Sequence, residues 1–346
     1  MNRQTLTQQQ LSFTELSQSV PALSREELLA GLVPPPHFAD VSFATYQPDA
    51  SFPSQAQARA RLAELGDQLT KTKTAIRFFG SKRKVAPSHV YLDGGFGVGK
   101  THLLVSLARE VGERAAYGSF VEYTAIVGVL GFSQTVASLA SYQLVCIDEF
   151  ELDDPGDTLI MSRLIRELSE HGVSVVVTSN TLPESLGEGR FSHHDFLREI
   201  QALADRFEVI RIDGPDYRNA DRPSEPVIRT APQAGELVGG ASSGKVAFAT
   251  TAELLAALKL VHPSRYRRLV GGLDRLVVTE FEAIIDEHAA LRFVALVDRL
   301  YDNEVAVTLS AAGGDQNIFT PEMLRGGYRK KYFRALSRLS SLTNLN

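Results

Sequence analysis

One glycine-rich stretch constrains this chain more than any other feature. Residues 94–101 read Gly-Gly-Phe-Gly-Val-Gly-Lys-Thr and follow an apolar run that ends at Asp93. Apolar residues then repeat at helical spacing, at Leu103, Leu104, Leu107 and Ala108. The pattern therefore predicts a buried strand, a tight turn and a helix, which is the context that a phosphate-binding loop requires.

The residue types in this loop suit a nucleotide. Glycines can take positive φ and leave backbone N–H groups facing phosphate oxygens at the N-terminus of a helix. Lys100 would reach the β- and γ-phosphates, and Thr101 would hold Mg²⁺ through its hydroxyl. We therefore expect the nucleotide to contact Gly94, Gly95, Phe96, Gly97, Val98, Gly99, Lys100, Thr101 and His102.

Polar residues also end two later apolar runs. Asp148 and Glu149 follow the run at 144–147, in the Walker B pattern. Asp148 can bind Mg²⁺, directly or through water, and Glu149 can polarise the attacking water. Asn180 follows the run at 173–178, where it either contacts the γ-phosphate or the lytic water, or simply forms a turn.

Arginines complete the candidate list. A site of this kind stabilises transition-state charge with an arginine, often from a neighbouring subunit. Among Arg190, Arg198 and Arg206 we favour Arg198, with a solvated helix arginine as the alternative. Arg334 and Arg338 lie one turn apart on the predicted last helix, so either could reach back to the nucleotide from a lid.

Short apolar strands alternate with helices from residue 88 onward, which predicts a parallel sheet with helices on both faces. Five strands are expected, at 90–92, 119–123, 144–147, 173–178 and 208–212. A second α/β unit has predicted strands at 245–249, 276–279 and 305–310. The expected division is an N-terminal arm at 1–65, a P-loop core at 66–215, a linker at 216–244 and a smaller C-terminal lid domain at 245–346.

Bulk properties limit the functional classes. The net charge of −5 argues against a chain-wide attraction to nucleic acid or anionic lipid. Cys146 is the only cysteine, so no intrachain disulfide can form, and it is expected to be a small buried hydrophobe. No apolar run is long enough to span a bilayer and the first residues lack a secretory pattern, so a cytoplasmic protein is expected.

The combination of motifs resembles the ZapE family of bacterial cell-division ATPases, relatives of the mitochondrial AFG-like ATPases. The resemblance is carried by residues 91–104, 146–150, 178–180, 216–218, 291–302 and 337–339. It implies an α/β P-loop NTPase fold of the AAA+ type and Mg²⁺-dependent ATP hydrolysis. It also implies oligomerisation around the nucleotide and association with the tubulin-like division protein FtsZ.

Family motif positions are matched by Lys100, Thr101, Asp148, Glu149 and Asn180. One departure concerns the arginine finger. Many members carry a Gln-Arg pair where this chain has Ser192-His193, so Arg198 is inferred from its local position alone.

Two other classes share some of these features. The loop also resembles that of replication initiators and helicase loaders, AAA+ switches that bind DNA, although their added helix-turn-helix is not evident in the sequence. The other class is a scaffold in which nucleotide only sets the shape, and Glu149 argues against it because a scaffold needs no base. ATP is favoured over GTP because the sequence contains no Asn-Lys-x-Asp motif.

Overall fold

The computed structural model describes residues 9–19, 24–75, 86–95, 97–151, 155–183, 186, 193–215, 225–240, 244–311 and 317–345. The chain divides into two units. We call residues 24–220 the loop unit, and residues 1–23 together with 221–346 the terminal unit.

Strands and helices alternate along most of the chain. The strands are β1 (Gln9–Ser12), β2 (His89–Gly94), β3 (Ala115–Ser119), β4 (Leu144–Asp148), β5 (Ser174–Ser179), β6 (Glu208–Ile212), β7 (Ile228–Arg229), β8 (Lys245–Thr250), β9 (Arg275–Thr279) and β10 (Ala306–Ser310). The helices are α1 (Phe13–Ser19), α2 (Arg25–Ala30), α3 (Pro53–Ala75), α4 (Lys100–Val111), α5 (Phe120–Leu130), α6 (Phe132–Leu139), α7 (Pro155–Glu170), α8 (His193–Ala204), α9 (Ala231–Gly240), α10 (Thr251–Leu260), α11 (Tyr266–Val270), α12 (Glu287–Asp302) and α13 (Arg329–Thr343). Within the described ranges, no helix is both long and apolar enough to cross a membrane.

The loop unit contains a parallel sheet in the order β3-β4-β5-β2-β6. Its strands β4 and β5 are buried along their whole length, which is why they appear in the sequence as continuous apolar runs. Strand β2 lies between β5 and β6, so the loop that follows it starts from an inner strand of the sheet and not from an outermost one. The carboxyl ends of β2, β4 and β5 lie at the same edge of the sheet, because the strands are parallel.

Four of the five predicted strands of this sheet are confirmed, and the one at 119–123 is wrong. The observed strand β3 ends at Ser119, and helix α5 begins at the next residue. The Ser119 side chain accepts a hydrogen bond from the Glu122 backbone N–H, and the Glu122 carboxylate accepts one from the Ser119 N–H at 2.7 Å. This capping box starts the helix where the apolar residues alone indicated a strand.

The terminal unit is built on a second parallel sheet, in the order β1-β8-β9-β10-β7. Its predicted strands at 245–249, 276–279 and 305–310 are confirmed within one residue at each end. Helices α10, α12 and α13 contribute to its hydrophobic core, and Phe13 of α1 is fully buried in that core.

Observed units differ from the expected domain division at both the arm and the linker. Residues 9–12 pair with β8 as an edge strand of the terminal unit, whereas residues 24–65 belong to the loop unit. The expected linker contains β7, which pairs with β10, and helix α9. Two- and four-residue edge strands are too short to show a periodic pattern, so only their pairing across the sheet reveals them.

Candidate nucleotide site

The loop after β2 needs glycine at particular positions. Gly97 and Gly99 have φ of 73° and 86°, in the left-handed region. A Cβ on Gly94 would lie 2.5 Å from the Ile212 carbonyl oxygen of the neighbouring strand, and one on Gly99 would lie 2.5 Å from the Tyr46 ring. Close contacts therefore require glycine at positions 94 and 99, and the backbone conformation favours it at positions 97 and 99. Phe96, predicted to contact the nucleotide, lies outside the described residues.

Substituting Gly94 by alanine should destabilise the loop unit, whereas substituting the adjacent Gly95 should not. The Gly94 Cβ meets a fixed backbone oxygen, while a Cβ on Gly95 meets no atom within 4 Å. We expect Gly94→Ala to lower the free energy of unfolding by about 1–3 kcal/mol. Gly95→Ala should change it by less than about 0.5 kcal/mol. Urea unfolding of both variants measures the difference, and equal midpoints would contradict this account of the loop.

Residues 42–46, which precede the loop in the sequence, contact the loop and the first turn of α4. The Tyr46 hydroxyl donates to the Val98 carbonyl at 3.0 Å, and the Tyr46 ring packs edge-to-face against His102 with centroids 5.4 Å apart. His102 Nε2 lies 3.0 Å from the Ser42 carbonyl oxygen and 3.2 Å from Thr45 Oγ1. The structure thus ties His102 to this segment, and its contact with a nucleotide stays a prediction.

Lys100 joins the loop to the end of β5. Its side chain is 8% exposed, and Nζ donates to the carbonyls of Gly94 and Gly95 at 2.8 and 2.5 Å. It also donates to Asn180 Oδ1 at 2.9 Å, and Asn180 Nδ2 lies 3.5 Å from Glu151 Oε1. The Asn180 amide therefore faces the loop. Sequence reasoning missed Glu151, a buried acid two residues after Glu149, because nothing local distinguishes it from a loop acid.

Asp148 is surrounded by hydroxyl groups. It accepts hydrogen bonds from Thr101 Oγ1, at 3.2 Å to each carboxylate oxygen, and from the Tyr117 hydroxyl at 2.9 Å. Thr178 Oγ1 also donates to it. Carboxylate and hydroxyl oxygens are the ligands that Mg²⁺ prefers, and Mg²⁺ usually takes only one or two carboxylates together with phosphate oxygens. Thr101 and Asp148 together therefore fit a Mg²⁺–nucleotide site.

Glu149 occupies an unusual backbone conformation directly after Asp148. Its φ is 57°, which is uncommon for a residue with a side chain. The Glu149 N–H donates to Thr178 Oγ1 at 3.0 Å, which holds this conformation.

Cys146 lies on β4, two residues before Asp148. Burial and the nearby Asp148 carboxylate raise the pKa of the Cys146 thiol. Cys146 therefore stays protonated, in keeping with its predicted role as a small buried hydrophobe.

Two of the three candidate finger arginines, Arg198 and Arg206, lie within the described residues. Arg198 lies on α8 with an exposed side chain, and Arg206 lies in the turn after that helix. Arg190 and Ser192 lie outside the described residues, and at His193 only the helical backbone is described. The assignment of Arg198 as a finger for a neighbouring subunit stays a prediction.

Comparison with known proteins identifies the chain. The family model of the AFG1-like ATPases matches residues 22–238 and 236–346. The chain belongs to the AFG1-like ATPase family. The α/β fold with a five-stranded parallel sheet predicted from the sequence is confirmed. Membership of an ATPase family implies nucleotide use.

Relatives of this AFG1-like ATPase include the cell division protein ZapE of Escherichia coli K12, which is 28% identical over 293 residues, covering 73% of this chain and 77% of ZapE. Lactation elevated protein 1 homolog B of Danio rerio is 34% identical over 79 residues, 22% of this chain and 16% of that protein. Among solved structures, DnaA from Aquifex aeolicus bound to AMPPCP matches with a TM-score of 0.38 and 16% identity over 50% of each chain.

In this AFG1-like ATPase, the two arginines predicted to reach the nucleotide from the last helix pair with an acid of the same unit. Arg334 and Arg338 are 6% and 9% exposed, and both donate to the buried carboxylate of Asp298, Arg334 at 2.7 Å. The Arg338 guanidinium also lies 5.3 Å from the centre of the Tyr301 ring. The one-turn spacing is as predicted, but this face of α13 packs on α12. A buried carboxylate requires such cations, and the contact of either arginine with a nucleotide stays a prediction.

Proposed function

We propose that this AFG1-like ATPase hydrolyses ATP to ADP and phosphate in a Mg²⁺-dependent reaction at the loop after β2. One observation carries the proposal. Lys100, Asp148 and Asn180 come from three separate segments, and hydrogen bonds link Asn180 to Lys100 and Asp148 to Thr101, next to Lys100. This is the set of groups that ATP hydrolysis requires around a γ-phosphate.

Each group has a separate task in the proposed reaction. The Lys100 ammonium and the loop N–H groups bind the β- and γ-phosphates and offset their charge. When bound, Mg²⁺ would be held by Thr101 and Asp148 and would neutralise charge on the phosphate oxygens. Glu149 accepts a proton from the attacking water, and Asn180 orients that water or the γ-phosphate.

Assembly and partner extend the proposal. We infer a nucleotide-dependent homo-oligomer in which the exposed Arg198 of one subunit completes the site of its neighbour. We also infer that the protein acts in the cytoplasm on FtsZ or a comparable division-ring protein. The likeness to ZapE supports this partner, and the net charge of −5 disfavours sequence-independent binding to DNA.

Pelleting with FtsZ polymers tests the partner. We expect this protein to sediment with the polymers in an ATP-dependent manner, and Glu149→Gln, which should keep ATP bound, to change the pelleted fraction. Duplex and single-stranded DNA titrations at physiological salt serve as the comparison, because low salt exaggerates any basic patch. Tight DNA binding without FtsZ pelleting would instead favour a protein of the helicase-loader type.

Sedimentation of Glu149→Gln without FtsZ tests assembly. The sedimenting oligomer should be larger with ATP than without it, and a monomer under both conditions would refute assembly.

A further inference from the structure

A single threonine hydroxyl connects the two acids of the proposed site. Thr178 lies on β5, next to β4, and is 2% exposed. Its Oγ1 donates to the Asp148 carboxylate and accepts a hydrogen bond from the Glu149 N–H at 3.0 Å. One hydroxyl thus donates to Asp148, the last residue of β4, and accepts from Glu149, the residue that follows it.

The backbone of Thr178 holds the same segment from another direction. Its carbonyl accepts a hydrogen bond from the Phe150 N–H at 2.7 Å, and Phe150 is fully buried. Thr178 therefore contacts three consecutive residues, one of which has a φ of 57°. Such a conformation persists only when the surrounding structure specifies it, so the direction of the Glu149 side chain depends on Thr178.

We propose that Thr178 is a positioning residue for ATP hydrolysis, fixing the metal-binding carboxylate and the general base relative to each other. The proposal rests on the function proposed above. Thr178 acts through Asp148 and Glu149 and does not itself touch the substrate. A shift of the base by about 1 Å can slow a reaction by about 100-fold, so fixing the turn affects the chemical step more than ATP binding.

Tyr117 provides a matched comparison, because its hydroxyl contacts the same carboxylate from the other side. It donates to Asp148 Oδ2 at 2.9 Å from β3, while Thr178 donates to Oδ1 from β5. Glu149 is linked to Thr178 by its N–H. Removing the Tyr117 hydroxyl should therefore raise the Mg²⁺ concentration that the reaction requires. Removing the Thr178 hydroxyl should in addition displace the general base, Glu149.

Steady-state kinetics of Thr178→Val, Thr178→Ser and Tyr117→Phe test the proposal. Thr178→Val replaces the hydroxyl by a methyl group, and we expect kcat to fall about 10- to 100-fold, with the KM for ATP within about threefold of wild type. Thr178→Ser keeps the hydroxyl and should restore kcat to within about threefold. Tyr117→Phe should raise the Mg²⁺ concentration for half-maximal rate, and it should lower kcat at saturating Mg²⁺ less than Thr178→Val does.

The outcomes separate this proposal from the proposed function. A wild-type protein that releases no phosphate refutes the ATPase, whatever Thr178 does. An active wild type with Thr178→Val at the same kcat refutes the positioning role, as does a Thr178→Ser variant as slow as Thr178→Val. Circular dichroism checks folding, and if the valine variant does not fold, Thr178→Ala takes its place with the same expected loss of kcat.

Discussion

Lys100→Ala should reduce phosphate release from ATP by about 100- to 1,000-fold, the cost of losing one positioned donor at a developing negative charge. Lys100 is the group that would reach the β- and γ-phosphates, and its Nζ already lies 2.9 Å from Asn180 Oδ1. The loss should affect both ATP binding and turnover, because the cation faces phosphate oxygens before and during the reaction. Phosphate release and ATP titration measure the two effects.

Lys71→Ala is the matched control for the loss of a positive charge. Lys71 lies on α3 of the same unit, and its exposed ammonium pairs with Asp67 at 2.6 Å. Exposed pairs of this kind contribute at most about 1 kcal/mol, so the variant should fold and hydrolyse ATP as wild type does. Equal phosphate release by Lys100→Ala and wild type would move the reaction away from this loop.

Glu149→Gln should bind ATP normally and lose hydrolysis by about 100- to 10,000-fold, the range expected for removal of a general base. The amide has the size and polarity of the carboxylate but not its basicity. The Glu149 N–H donates to Thr178, and this backbone contact is present with either side chain, so the turn should keep its shape. Single-turnover hydrolysis measured beside equilibrium ATP binding separates the two steps.

Asp148→Ala should show a different defect, because Asp148 accepts the Thr101 hydroxyl and is the proposed metal-binding carboxylate. Its affinity for Mg²⁺–ATP should fall, whereas that of Glu149→Gln should not. Normal hydrolysis by Glu149→Gln, or unchanged Mg²⁺–ATP affinity in Asp148→Ala, would overturn the division of roles between the two acids.

Local sequence patterns were sufficient to predict the loop after β2 and the two acids at the end of β4. Strands buried on both faces appear as apolar runs, and polar residues such as Asp148 and Asn180 directly follow two of them. In a parallel sheet these ends meet at one edge, so the sequence alone predicted which residues would lie near Lys100. Where a short capping signal competed with apolar character, at Ser119, the same reasoning misplaced a strand.

Only the tertiary structure decided which partners these residues have. Nothing in the local sequence indicates that Thr178 would hold Asp148 and Glu149, because that contact depends on the register of β4 against β5. Likewise, the sequence did not indicate that Arg334 and Arg338 would both bind Asp298, because that contact depends on the packing of α13 on α12. The sequence determined which groups reach the sheet edge through local periodicity, whereas the pairing of distant segments determined what each side chain contacts.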